Sequence, residues 1–367
     1  MNPTNNQFFK RQIIVSEIGK EGQQKLQNAK VLVVGCGGLG SPIAVYLALS
    51  GVGEIHLIDF DTVDVTNLHR QVFYKLDDVG ELKAAVLANF IKQRAPFTNV
   101  TFSTTAVQKE TVLDLVSQFD IIVDGTDSLP TKYLLNDACV LQNKPLVYGS
   151  LYKFDGYVAT FNVLQKDGNY SSNLRDAFPK MATDIPNCSE IGTLNPIVGI
   201  IAMQQANEVI KLITGIGKLI LNELLIYNSL QNSQLKMKLK PQELSHSERK
   251  KKIVAIFSKE TYFDANCEVQ HADWLISNEK MKSVLSGRAQ SRPLIISVLS
   301  ANEKHPFSID QFTSLSEIKN TIFSIDINTT YLIVCQKGIA SYEATKIIKE
   351  KYPTAKILSL VGGIQNY

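Results

Sequence analysis

Apolar residues fall in short blocks along the chain. "AKVLVVGCGGLG", "GEIHLIDFD", "NVTFSTTAV" and "FDIIVDGTD" are aliphatic runs closed by Gly, Asp or Thr, and each predicts a strand. Apolar helical segments lie between them at 41–50, 80–93 and 110–117. Alternating strands and helices predict an α/β fold, a doubly wound, Rossmann-like and mostly parallel sheet with right-handed crossovers. "KPLVYGSLYKFDGYVATFNV" predicts two more strands around a turn, and "NELLIYNSL" and "QLKMKLK" a last pair that extends the sheet with antiparallel strands. The last of these puts leucine and methionine on one face and lysines on the other. Before that pair, "NPIVGIIAMQQANEVIKLITG" predicts a helix stopped by Gly215. Residues 164–195 are polar and have no period, and a loop that long is usually functional or disordered.

At roughly 100–200 residues per domain, 367 residues suggest two or three domains. "PQELSHSERKKK" at 241–252 has a linker composition, and a solvated helix end is the other reading of it. The expected division is a nucleotide-binding unit at 1–240, a linker at 241–271 and a smaller α/β unit at 272–367. The small unit's clearest strands are "RPLIISVL", "TTYLIVC" and "AKILSLV", with a helix at "SYEATKIIKEKY". A net charge of +3 is too small and too scattered to argue for nucleic acid or a membrane surface as a partner, and neither is expected. No run of about 18 apolar residues is long enough to span a membrane. "MNPTNNQFFKRQ" has no signal-peptide core. Five scattered cysteines with no C-x-x-C pair fit reduced thiols in a cytoplasm.

Gly35, Gly37 and Gly40 form G-x-G-x-x-G between the first strand and the next helix. Such a turn lets backbone N–H groups approach an anion at a helix N-terminus. Asp59 ends the second strand, where a ribose-binding acid belongs. A dinucleotide enzyme fits these residues as well as an ATP enzyme does. The neighbours separate the two. "DFDTVDVTNLHRQ" supplies Asp61, Asn67, Arg70 and Gln71, "GELKA" supplies Lys83, and "FFKRQ" supplies Arg11. A triphosphate that leaves as pyrophosphate gains charge and needs Arg and Lys clamps plus a metal ion. In "DGTDS", Asp127 lies past the carboxyl end of the fourth strand, the edge where ligands bind, and is a candidate Mg²⁺ carrier. The bland readings are surface charges for Arg70 and Lys83 and a helix N-cap for Asp127.

At this point the chain resembles the ThiF/MoeB adenylyltransferases, relatives of ubiquitin-activating enzymes, over about residues 7–240. The matching segments are "RQIIVSEIGKEGQQKL", "VLVVGCGGLGSP", "LIDFDTVDVTNLHRQ", "GELKA", "DGTD" and "NCSEIGTLNPIVGIIAMQQANEVIKLITG". The resemblance implies that the chain binds ATP and adenylates the C-terminal Gly-Gly carboxylate of a ubiquitin-like sulfur carrier. It implies nucleotide contacts from Gly38 and Asp59, ribose and phosphate contacts from Asn67 and Arg70, a phosphate contact from Lys83, and magnesium on Asp127. It also implies a homodimer in which Arg11 reaches the neighbouring subunit's site. Ser128 stands where the family usually has asparagine.

Cys36, inside the glycine turn, reads as a packing residue, and Cys139 as core. Cys188 matches the family's crossover-loop cysteine and is a candidate thiol for the activated carrier or for sulfur. Many relatives hold zinc on two C-x-x-C pairs. Here Asn173, Asp176 and Gln270 replace three of those cysteines and only Cys267 remains, so no zinc is expected. The C-terminal unit resembles a rhodanese domain at "LIVCQKGIASYEATKIIKE" and "LSLVGGIQNY". Cys335, Gly338 and Ser341 match its active-site loop, but Ala340 replaces the usual arginine. Sulfur transfer at Cys335 and a degenerate docking domain are both open readings.

The leading expectation is an ATP- and Mg²⁺-dependent adenylyltransferase for a sulfur carrier, MoaD-like (molybdopterin) before ThiS-like (thiamine), with a cysteine desulfurase as candidate sulfur donor. The alternatives are an NAD-dependent oxidoreductase and a non-catalytic carrier-binding scaffold. Arg70, Lys83 and Asp127 weigh against both.

Overall fold

The computed structural model describes residues 4–181, 192–241, 244–260, 262, 272–285, 292–299, 305–320, 325–327, 329–336, 338–364 and 367. The chain divides into two compact units, residues 1–267 and 268–367.

The first unit opens with helices α1 (Asn5–Phe8), α2 (Lys10–Ile13) and α3 (Gly19–Asn28). It continues β1 (Lys30–Val34), α4 (Gly40–Leu49), β2 (Glu54–Ile58), α5 (Lys83–Lys92), β3 (Asn99–Ser103), α6 (Val112–Ser117), β4 (Ile121–Asp124) and α7 (Leu129–Gln142). Then come β5 (Leu146–Tyr152), β6 (Asp155–Phe161), α8 (Leu174–Ala177), α9 (Asn195–Thr214), β7 (Glu223–Asn228), β8 (Ser233–Lys238) and α10 (His246–Lys259). All eight strands join one sheet, in the order β3-β2-β1-β4-β5-β6-β7-β8. The first five run parallel, and β6, β7 and β8 are antiparallel.

Strand periodicity explains the two-layered core. Val31 and Val33 of β1 face a cluster containing Ile43 of α4 and Ile201 of α9, whereas Leu32 and Val34 face one containing Leu135 of α7 and Val116 of α6. The expected alternation in β8 does not bury a face. It is an edge strand exposed on both sides, with Leu235 and Met237 open to solvent.

Of the charged stretch read as a linker or a solvated helix end, residues from His246 onward are the start of helix α10 (His246–Lys259). Ser245 and Glu248 form its capping box, and Ile253 is buried. Residues 246–259 therefore belong to the first unit, whose boundary falls later than 240.

In the second unit β9 (Leu275–Ile276), α11 (Asn278–Ser283), β10 (Leu294–Ser297), β11 (Gln311–Phe312), α12 (Leu315–Asn320), β12 (Thr330–Val334), α13 (Ile339–Lys351) and β13 (Lys356–Leu360) follow in chain order. Its five strands form a parallel sheet ordered β11-β10-β12-β13-β9. No described helix is long and apolar enough to cross a membrane.

Candidate active site

The winding of the large sheet reverses between β1 and β4, so the carboxyl ends of these strands open on one crevice. The glycine turn leaves β1 there. Gly35 has φ +87°, and a methyl group on it would lie 2.8 Å from the Gly125 carbonyl oxygen. A methyl group on Gly40 would overlap the Gly35 carbonyl. Gly35 needs glycine because the turn touches the backbone of residue 125, and Gly40 because the turn closes on its own Gly35 carbonyl.

Asp59 holds the turn from the next strand. Its carboxylate accepts from Cys36 N at 2.6 Å and from Asp61 N at 2.8 Å. Burial pushes its pKa up against the opposing effects of Lys83 and these two amides. Tyr74 donates its hydroxyl to the Cys36 carbonyl at 2.6 Å and is buried, so the peptides on both sides of Cys36 are fixed. Sequence reasoning missed Tyr74. Its signal was an aromatic residue soon after "NLHRQ". Cys36 is fully buried with its pKa pushed up, chiefly by burial, as is Cys139, and both fit the packing readings.

The segment after β2 folds over the turn. Asn67 lies in a short 3₁₀ turn capped by Asp64. Its Oδ1 accepts from Gln71 Nε2 at 3.0 Å and from Arg70 Nη2 at 3.4 Å. Arg70 also donates to the Thr66 carbonyl at 3.2 Å and lies 3.0 Å from the His69 ring nitrogen. No carboxylate pairs with Arg70 among the described residues. A methyl group on Gly38 would stand 3.4 Å from the Arg70 carbonyl oxygen, and one on Gly37 3.4 Å from Gln71 Nε2. Gln71 Oε1 is buried without a partner among the described residues.

Lys83 starts α5 and is nearly buried. Its ammonium sits 2.9 Å from the half-exposed Asp61 carboxylate. That contact uses one of three N–H donors. On the other side of the crevice, Ser128 caps α7 by accepting from Thr131 N at 3.1 Å. The cap role considered for Asp127 thus falls to its neighbour. Asp127 itself is exposed, and its carboxylate has no hydrogen-bond or ion-pair partner among the described residues.

The structure therefore gathers Gly35, Gly37, Gly38, Gly40, Asp59, Asp61, Asn67, Arg70, Gln71, Lys83, Asp127 and Ser128 onto the loops of this crevice. Arg11 is exposed on α2, and no described hydrogen bond or ion pair joins it to them. Cys188, Cys267 and Gln270 lie outside the described residues. Asn173 and Asp176, which stand where many relatives have the first zinc-binding cysteine pair, form the capping box of α8, and Asp176 pairs with Arg249 of α10 at 3.1 Å.

In the second unit Cys335 follows β12. Gly338 N donates to its sulfur at 3.1 Å, and Ser341 Oγ lies 3.3 Å away. Only 2% of the residue is exposed. Gly362 and Gly363 close over this loop, and Ile364 N donates to the Cys335 carbonyl. Among the described residues one backbone N–H, that of Gly338, is aimed at the sulfur, and Cys335 is buried.

Residues 9–248 match the ThiF family model. The chain belongs to the ThiF family. It is an adenylyltransferase by class, as its named relatives are, and adenylyl transfer draws on ATP. A Thermus thermophilus protein described as "Sulfur carrier protein adenylyltransferase" is 39% identical over 231 residues, covering 62% of this chain and 85% of that protein. A Porphyra purpurea protein described as "Probable molybdopterin-synthase adenylyltransferase" is 31% identical over 371 residues, 98% of this chain and 92% of that protein. Among solved structures, E. coli MccB with ATP is 26% identical, with a TM-score of 0.57, covering 66% of this chain and 74% of that one.

Proposed function

We propose that this ThiF-family chain adenylates the C-terminal Gly-Gly carboxylate of a ubiquitin-like sulfur carrier, MoaD-like before ThiS-like, in the cytoplasm. One observation carries the reading. Around the glycine turn Asp59, Asp61 and Lys83 are engaged by protein groups, whereas the charges of Arg70 and Asp127 have no charged partner among the described residues. A triphosphate and its cation would satisfy both. The preference for a MoaD-like carrier rests on the Porphyra relative, which matches along nearly the whole chain.

The chemistry needs alignment and charge, not an acid–base side chain. A carboxylate is a poor acyl donor because oxide is a poor leaving group. Attack of the carrier carboxylate on the α-phosphorus forms an acyl–phosphate bond and breaks the bond to pyrophosphate. Arg70 and the two remaining donors of Lys83 stabilise the charge that develops on the phosphates. Asp61 orients the Lys83 ammonium. Asp127 suits magnesium because Mg²⁺ is usually held by one or two carboxylates plus substrate phosphates. No cluster of three or more His, Cys, Asp or Glu able to hold a metal exists among the described residues. Magnesium would lower the charge of the departing pyrophosphate. Pyrophosphate–ATP isotope exchange should appear only with a Gly-Gly-ended carrier, and faster with a MoaD-type than a ThiS-type one. Exchange favouring the ThiS-type carrier would reverse that preference, and NAD-linked hydride transfer would replace the whole reading.

A homodimer completed by Arg11 is part of the proposal. Its support is a run of exposed apolar residues on the segment that folds over the turn: Val65, Val72, Leu76 and Val79, the largest 72% exposed. Arg11→Ala and Asp127→Ala subunits should each be inactive alone and regain exchange when mixed. Failure of the mixture, or a monomer by sedimentation, would remove Arg11 from the site.

Sulfur transfer is proposed for Cys188 or Cys335, with a cysteine desulfurase as donor. Adenylation uses no thiol. Cys188→Ala and Cys335→Ala should both keep exchange, while at least one loses carrier thiocarboxylate, read by mass spectrometry. Wild-type thiocarboxylate formation by the double variant would leave the chain an adenylyltransferase only.

A further inference from the structure

Behind Asp127 lies a buried ion pair that the reaction as described does not use. Asp124, the last residue of β4, is fully buried, and the Lys132 side chain of α7 is 4% exposed. Lys132 Nζ lies 3.0 Å from Asp124 Oδ2 and donates to the Gly149 carbonyl at 2.7 Å. The Tyr148 ring centroid is 5.1 Å away. The other carboxylate oxygen, Asp124 Oδ1, accepts from Thr126 N at 3.0 Å and Thr126 Oγ1 at 2.8 Å. Burial alone would lower the Lys132 pKa. Asp124 above all, with Tyr148 and Asp127, outweighs it and holds the lysine above its ordinary value.

A buried pair is weak evidence for stability, since well-packed neutral residues often serve equally well. What this pair does hold is a loop. Asp124 fixes Thr126 from the strand side, and Lys132 fixes Asp124 from the helix side, across residues 125–128. Gly125 N donates to the Val34 carbonyl at 2.8 Å, and a methyl group on Gly125 would lie 2.8 Å from Gly40 Cα. The loop is thereby pressed on the glycine turn while Asp127 stays free at its tip.

We infer that Lys132 and Asp124 are positioning residues that set where Asp127 presents its carboxylate to the metal–triphosphate. The inference rests on the adenylation reading. A displacement of about 1 Å in such a group costs on the order of a hundredfold in rate.

The test compares full-length wild type, Lys132→Arg, Thr126→Val, and Lys132→Met combined with Asp124→Asn. The double variant removes both charges and keeps an acceptor for Thr126. Three quantities are read: urea unfolding, the Mg²⁺ dependence of carrier-driven exchange, and binding of Mn²⁺–ATP by electron paramagnetic resonance without carrier. The double variant should unfold near wild type, lose about tenfold to a hundredfold in kcat, and bind Mn²⁺–ATP more weakly. Thr126→Val, partly exposed and able to fold in any case, should shift the same readouts less. Lys132→Arg should retain them. Wild-type Mg²⁺ dependence and Mn²⁺–ATP affinity in both Thr126→Val and the double variant would overturn the inference. Wild type that binds Mn²⁺–ATP but shows no exchange would sink the adenylation reading, and the binding comparison would still decide the role of the pair.

Discussion

Asp127→Ala should reduce carrier-dependent pyrophosphate–ATP exchange by about 10²–10³, or roughly 2–4 kcal/mol of transition-state stabilisation. The side chain is exposed and has no hydrogen-bond or ion-pair partner among the described residues, so its removal strands no buried group there, and Ser128 still caps α7. The loss should therefore be catalytic, with unfolding unchanged. Arg70→Ala should act in the same direction, because its guanidinium has only neutral partners among the described residues. Exchange near the wild-type rate in Asp127→Ala would contradict the metal role given to it.

Arg175→Met should have the largest effect on stability, about 3–5 kcal/mol, because it strands a buried carboxylate. Asp137 of α7 is fully buried. Arg175 Nε lies 2.8 Å from its Oδ1, and Nη2 lies 2.6 Å from its Oδ2. Tyr262 donates its hydroxyl to Oδ2 at 2.5 Å, and Asn136 donates to Oδ1 at 2.9 Å. Burial first, and then the charge of Asp137, push the Tyr262 pKa up, so the phenol stays a donor. The network fastens residues 174–178 to α7, helped by Tyr133, whose hydroxyl donates to the Phe178 carbonyl at 2.8 Å. Urea unfolding of the intact chain measures the cost. A midpoint at the wild-type value would show that the carboxylate is satisfied without the arginine.

The parallel sheet and the site loops were legible in the sequence because both are locally encoded. Aliphatic runs ending at Gly or Asp mark strand ends, and ligands of such sheets bind at those ends. The roles of individual charges were less legible. Asp59, Asp61 and Lys83 could be named as site residues, but only folding shows that Asp59 serves two backbone amides and that Lys83 rests on Asp61. Lys132, Arg175 and Arg249 belong to no motif that marks them in the sequence. Their partners lie on other elements, 73 residues away for Arg249 and Asp176, and local spacing carries no trace of such pairs. At 246–259 the basic composition allowed a solvated helix end, but it carried no sign that Ile253 would be buried.

The most direct test of adenylation is the intact mass of a MoaD-type carrier after incubation with this chain, ATP and Mg²⁺, with no sulfur donor present. The account predicts a carrier heavier by one adenylyl group, linked to its C-terminal glycine, and no adduct on a carrier lacking that glycine. An unmodified Gly-Gly-ended carrier, under conditions where the chain binds both ATP and carrier, would contradict it.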